Sequence, residues 1–295
     1  MIAAERGFLL LCSHLGNPER RPLTDAQLRI LAQRVQTMEC PQTQRELKLS
    51  DLVQLGYGRE GAQHILSLLE EEELLSHYLR RAKAADCVPI TWVSNGYPVR
   101  LRQRLGADSP GCLWAKGDRS LLNRPAVSLV GSRDLRKANR AFAEAVGFQA
   151  AKQGFVLVSG NARGADQAAQ NACLQAGGGV ISIVPDALAE HPVTDRVLFL
   201  SEDGFDEPFS AQRAIGRNRC IHALGTVVFV AQASVGKGGT WDGTVKNLRA
   251  GWSSVFCFRD GSEAAEQLAQ MGAQLAEAED LQNFEALFCQ DIRIF

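Results

Sequence analysis

The 295-residue chain lacks long hydrophobic runs, an excess of either charge and paired cysteines. No apolar stretch reaches the ~18–20 residues that span a bilayer. The N-terminal run Phe8 to Cys12 follows Glu5 and Arg6. It is shorter than the ~7–15-residue core of a secretory signal. A cytoplasmic protein with no membrane partner is expected. The eight cysteines, Cys12, Cys40, Cys87, Cys112, Cys173, Cys220, Cys257 and Cys289, stand singly. None has the two-residue spacing of a zinc or redox pair, so they read as reduced, buried thiols and no metal is expected. A net charge of −1 excludes a uniformly basic coat. There is no internal repeat and no low-complexity segment.

What is present is an ordinary globular composition with uneven charge. A hydrophobic fraction of 45% and a charged fraction of 22% argue against a disordered or fibrous chain. The length suits two domains, or one large domain with an appendage. Residues 119–172 carry 8 basic and 3 acidic side chains, whereas residues 259–295 carry 2 and 8. A basic zone of this kind can hold an anion although the whole chain is neutral.

Residues 1–85 predict a helical N-terminal domain. Thr24 and Gln27 have capping-box spacing, and Leu28, Leu31 and Val35 recur at helical intervals. Leu55-Gly56-Tyr57-Gly58 has the form of a turn in a helix-hairpin-helix or SAM-like domain, or of an ordinary turn that uses glycine for positive φ. Residues 86–125 read as a connecting region. Apolar strands then alternate with helices: strands at 126–130, 155–158, 180–184, 197–200, 227–230 and 255–258, with helices ending near Gly154 and Ala176. The pattern predicts an α/β fold, a doubly wound and mostly parallel sheet, over residues 126–295, with an acidic C-terminal tail.

In such sheets ligands bind beyond the carboxyl ends of the strands. Gly131, Ser132 and Arg133 follow the first strand. Ser159, Gly160, Arg163, Gly164 and Asp166 follow the second. Arg217, Asn218 and Arg219 begin a later helix, and Lys237, Gly238, Gly239 and Thr240 follow the strand at 227–230. Glycine lets backbone amides approach a phosphate, helix N-termini add partial positive charge, and arginine adds a forked donor. Phe209 and Trp241 are candidates for stacking a base. A Gly-x-Gly-x-x-Gly fingerprint after the first strand and a Walker lysine are missing, which argues against a standard dinucleotide or P-loop site.

These residues resemble the DprA/Smf family of DNA-processing proteins. The resemblance runs from Tyr97-Pro98 through Leu113–Gly117, VSLVGSR (127–133), VLVSGNARGAD (156–166), LSEDG (200–204), GRNRCIHALG (216–225) and GGTWDGT (238–244). It implies an extended Rossmann-like domain that binds single-stranded DNA, works as a homodimer and helps load the RecA recombinase, with no cofactor and no catalysis. The chain departs from the family pattern at Gln170, where a histidine is usual, and at His191-Pro192 for Tyr-Pro. Its loop before Thr244 is longer than the family's, and no winged helix is expected after residue 260.

Two alternatives use the same crevice. One is a nucleotide-binding sensor. The other is a phosphoribohydrolase-like enzyme, suggested by Gly238–Thr244, whose relatives need a glutamate where this chain has Asn247. Of the paired arginines, Arg217 is favoured as the phosphate ligand and Arg219 as the brace.

Overall fold

The computed structural model describes residues 1–38 and 47–290. The N-terminal region forms α1 (Ala3–Cys12), α2 (Asp25–Gln36), α3 (Leu49–Gln54), α4 (Arg59–Leu69) and α5 (Glu72–Ala84). The predicted capping box opens α2: Gln27 N–H donates to Thr24 Oγ1 at 3.3 Å, and Thr24 N–H donates to Gln27 Oε1 at 2.9 Å. Gly56 takes φ +86° in the turn between α3 and α4, beside Tyr57, whose ring lies under the Arg34 guanidinium.

These helices are apolar on two sides. Leu28, Leu31, Leu52, Ile65 and Leu68 form a core of their own. Leu9, Leu10, Leu75 and Tyr78 instead pack on Trp114 and Phe205 of the following domain. Each such buried leucine contributes about 1.5–3 kcal/mol, so the helical region is fastened to the sheet.

The rest is built from β1 (Val88–Thr91), α6 (Val99–Leu105), β2 (Cys112–Gly117), β3 (Ala126–Val130), α7 (Lys137–Lys152), β4 (Val156–Ser159) and α8 (Ala165–Gln175). It continues with β5 (Gly179–Ile183), β6 (Val197–Ser201), α9 (Ala211–Gly216), α10 (Asn218–Leu224), β7 (Val227–Val230) and α11 (Gly238–Ala250). It ends with β8 (Ser254–Phe258), α12 (Glu263–Gln270), β9 (Gln274–Ala276) and α13 (Phe284–Gln290).

One sheet has the order β1-β2-β6-β5-β4-β3-β7-β8-β9. Strands β3 to β9 are mutually parallel, and β1 and β2 add an antiparallel edge. Alternate residues of each strand face opposite layers. On one side Val130, Val158 and Val228 meet Leu101 of α6, Ile221 of α10 and Val245 of α11. On the other, Val127, Leu129 and Leu157 meet Phe142 and Val146 of α7 and Ala169 of α8.

Two segments differ from the sequence reading. The stretch 86–125, read as a connection, contributes β1, α6 and β2 to the fold. Pro89 obscures β1, but an edge strand tolerates a missing N–H. The acidic segment after residue 259 is not a loose tail over its described part. It adds β9 to the sheet and buries Leu281, Phe284 and Leu287 with Phe155 and Phe229. Glu263, Glu266, Glu277, Glu279, Asp280 and Glu285 are exposed, which is why composition alone hides the packed face.

Six described cysteines, Cys12, Cys87, Cys112, Cys173, Cys220 and Cys257, are free thiols. Burial pushes Cys257 up to about 12 and Cys87 up to about 11. Cys40 and the side chain of Cys289 lie outside the described residues. Among the described residues no helix is long and apolar enough to cross a membrane.

Candidate nucleic-acid interface

Strand β3 has β4 on one side and β7 on the other, so the chain direction of the crossovers reverses there. This topological switch point opens the crevice of a doubly wound sheet. The loops that rim it are locked to each other. Ser132 N–H donates to the Gln232 carbonyl at 3.0 Å, and Ala165 N–H donates to the Ser132 carbonyl at 3.1 Å. Gln232 also accepts from Arg136 N–H at 3.0 Å and donates to the Asp134 carbonyl at 3.0 Å.

Gly164 is required by the backbone. It takes φ +92°, and an added Cβ would overlap the Ser132 and Arg133 carbonyls. Gly131 passes so close to Ala165 that a side chain there would collide with it. The two glycines bring the loop after β3 against the start of α8.

Arg133 is exposed, and its guanidinium makes no hydrogen bond or ion pair with any described residue. It lies near enough to the buried Asp166 and Arg217 to perturb both. Arg163 is also exposed, held only by a surface pair with Asp134 at 2.8 Å. Lys237 is exposed at the entrance to α11. The first N–H groups of α11, from Gly238, have no intrahelical carbonyl to bond. Gly238 takes φ +80°, and Asn218 Nδ2 donates to the Gly239 carbonyl at 2.9 Å, which fixes this arm to α10. The Thr240 carbonyl accepts from Thr244 Oγ1 at 2.7 Å.

Other candidates sit beneath this surface. Ser159 is fully buried and accepts from Gln170 Nε2 at 2.6 Å. The same amide donates to Ser182 at 2.8 Å, so Gln170 ties β4 to β5. Asp166 accepts from the Gly160 and Ala162 amides, each at 3.1 Å. Burial raises its carboxyl above the ordinary range, and Arg217 and these amides oppose the shift. Asp166 therefore shapes the loop from within. Trp241 is buried at 8% exposure, whereas Phe209 is 57% exposed. Only Phe209 of the two is open to stacking.

The arginine pair differs from expectation. Arg217 caps the junction of α9 and α10 with 7% exposure, and its Nη2 donates to the Gly160 carbonyl at 2.9 Å. An added Cβ at Gly160 would overlap this guanidinium. The residue favoured as ligand is thus packed under the second loop. Arg219 is bound by Glu202 at 2.7 Å and by Asp25 of α2 at 3.0 Å. Burial works to lower its guanidinium, but Glu202 and Asp25 outweigh that and raise it. Burial in turn raises Glu202 and Asp25 against the pull of Arg219. Both arginines brace the interface, because their partners come from parts of the chain that local spacing cannot reveal.

Gln232 and Glu202 escaped the sequence reading. Their signal was position: each stands within two residues of a strand end. Asn247, at the position where the hydrolases need glutamate, is fully buried. Its amide donates to His222 Nδ1 at 3.1 Å and to Ser253 Oγ at 3.1 Å.

The fold is a Rossmann-like, doubly wound sheet with basic, glycine-built loops at its switch point. The model of the DNA recombination-mediator protein A family matches residues 89–285, and the chain belongs to that family. It is 34% identical over 181 residues to DNA processing protein DprA of Streptococcus pneumoniae, and 28% identical over 164 residues to that of Bacillus subtilis. These matches cover 57% and 52% of this chain. They span 64% and 54% of the relatives' own length. The X-ray structure of the Streptococcus pneumoniae protein superposes with a TM-score of 0.72 at 26% identity, covering 95% of this chain and 97% of that one. A Helicobacter pylori DNA processing protein A, described for its mode of single-stranded DNA binding, shares the fold at a TM-score of 0.57 and 24% identity. That match covers 70% of this chain and 96% of the other.

Proposed function

We propose that this chain binds single-stranded DNA and holds its backbone phosphates along the loops after β3, β4 and β7. The observation that carries the reading is Arg133: an exposed guanidinium without a partner among the described residues, at the switch point, on a loop locked by Gln232 and Gly164. Arg163, Lys237 and the start of α11 extend the donor surface. Family membership supports a DNA ligand. Homodimer formation and assistance to RecA loading belong to the same proposal and rest on the family resemblance.

Fluorescence anisotropy with thymidine oligomers of increasing length, beside mononucleotides, tests the reading. Affinity should rise with length and fall steeply with salt. A mononucleotide that binds as tightly as a long oligomer would support the sensor instead. The locked, neutral Asn247 supports binding over hydrolysis, because an amide cannot stabilise a cationic ribosyl centre. No free base should appear when nucleoside monophosphates are incubated with the protein; release above background would reverse that choice.

A further inference from the structure

A groove of about 620 Å³ lies between α11, the start of α2 and the junction of α9 and α10. Its volume is within the ~300–1,000 Å³ range of ligand sites. One end meets the arm after β7. Asn218, which donates to the Gly239 carbonyl at 2.9 Å, lines the groove. So does Ile215, 46% exposed, and a Cβ built on Gly239 would stand 3.9 Å from its Cγ1. Along α11, Gly239, Gly243, Lys246 and Ala250 recur every three or four residues and share one face. Gly243 puts no side chain into the groove, and the helix rises about 10 Å from there to Ala250. Trp252 lines the far end, just beyond the Gly251 cap with its φ of +65°.

The charged lining residues are Asp25, Asp108, Arg219, Lys246 and Arg249. Arg219 and Asp25 are committed to one another at 3.0 Å, and Asp25 also accepts from Gly111 N–H at 2.9 Å. Lys246 and Arg249 are exposed, and neither has a hydrogen-bond or ion-pair partner among the described residues. They stand about one turn apart, opposed by the exposed carboxylate of Asp108. Trp252 is half-buried: it packs against the core, and its indole N–H bonds no described residue. Unpaired cations with an aromatic ring and apolar lining are the parts with which a groove holds an unpaired strand. The cations follow the phosphates and the ring takes the face of a base. A duplex keeps its base faces stacked and would leave Trp252 and Ile215 unused. Continuity with the arm after β7 selects a nucleic-acid strand over an acidic peptide.

We propose that a bound single strand continues from the loop after β7 into this groove, with phosphates on Lys246 and Arg249 and a base against Trp252. The inference rests on the reading of the strand-end loops as a phosphate site. It makes the footprint longer than those loops and brings the strand to the start of α2, in the N-terminal region.

The test titrates the full chain with fluorescein-labelled thymidine oligomers, from lengths that the strand-end loops alone can hold to lengths at which affinity stops rising. Lys246→Gln combined with Arg249→Gln should weaken the long oligomers about tenfold or more and leave the shortest within about twofold. For a long oligomer the same pair should flatten the slope of log affinity against log salt by about 1.4, the share of two phosphates. Trp252→Ala should weaken the long oligomer about five- to a hundredfold, the range for one stacked base. Trp252→Phe, which keeps a ring on the core, should retain most of the affinity. Circular dichroism and melting confirm that each variant is folded. A long oligomer bearing iodouracil, irradiated in the complex, should cross-link to the peptide that contains Trp252. Long-oligomer affinity and salt slope unchanged in the folded Lys246 and Arg249 double variant overturn the groove path and leave the strand-end site standing. If that variant loses binding of a glutamate-rich peptide instead, the groove belongs to a peptide and the proposal falls. Failure of the unsubstituted protein to bind an oligomer of any length overturns the phosphate reading, and the groove path with it.

Discussion

At the scale of single residues, partner availability separates a ligand from a brace. Among the described residues Arg133 has no partner, whereas Arg217 and Arg219 are engaged. Arg133→Ala should weaken single-strand binding by about 1.5–3 kcal/mol, the loss of one charge-assisted hydrogen bond. That is roughly ten- to a hundredfold in an anisotropy titration, with the melting temperature unchanged. Arg133→Lys should recover only part, since an ammonium lacks the fork. Arg133 was legible from its position after a strand; the burial of Arg217 was not, because it depends on Gly160 in a different loop. His222 supplies a second residue-scale expectation. It is wholly buried, and burial pushes its imidazole down to about 3 from 6.5. Below pH 6.5 the unfolded chain takes up a proton that the folded chain refuses until about pH 3. This group's contribution therefore falls as pH drops through that window, by up to about 1.4 kcal/mol per pH unit. His222→Asn keeps an acceptor for Asn247 and cannot titrate. Urea denaturation from pH 7 to 4 should show a shallower acid limb in the variant, although a cavity lowers its stability at neutral pH.

Among the elements, the contact between α2 and α10 is the one to break. Arg219→Ala strands Asp25 and Glu202, two carboxylates that burial already disfavours in the charged form. The expected loss is about 3 kcal/mol, at the low end for a broken buried pair because the site is partly open. Calorimetry should record a lower melting temperature, with a smaller direct effect on DNA affinity. The C-terminal elements are equally structural. Phe284 is fully buried against Phe155 and Phe229, so Phe284→Ala should cost about 3–5 kcal/mol. A melting temperature within error of the unsubstituted protein would return this segment to the status of a tail. The six central strands were legible because each is a continuous apolar run between glycines and helices. Strands β1 and β9, the two edges of the sheet, were not, because one is interrupted by Pro89 and the other is only three residues long; β2, paired with β1 and β6, fell inside the stretch read as a connection.

For the whole molecule, the proposed phosphate track sets an expected salt dependence. Three exposed cations, Arg133, Arg163 and Lys237, imply a slope of log affinity against log salt near −2, at about −0.7 per phosphate. Arg133→Ala should flatten it by about 0.7. A slope unaffected by the substitution would remove Arg133 from the phosphate track. The pairing of Asp25 with Arg219 bears on how the protein is made. The two residues are 194 positions apart. At ~5–20 residues per second, the ribosome delivers the arginine roughly 10–40 seconds after the aspartate. Through that interval the N-terminal helices wait with Leu9, Leu10 and Leu75 uncovered by Phe205, a surface on which a nascent chain can be intercepted by chaperones or by its neighbours on the same message. The contacts with Trp114 and Gly111 come first along the chain, and those with Phe205 and Arg219 close last.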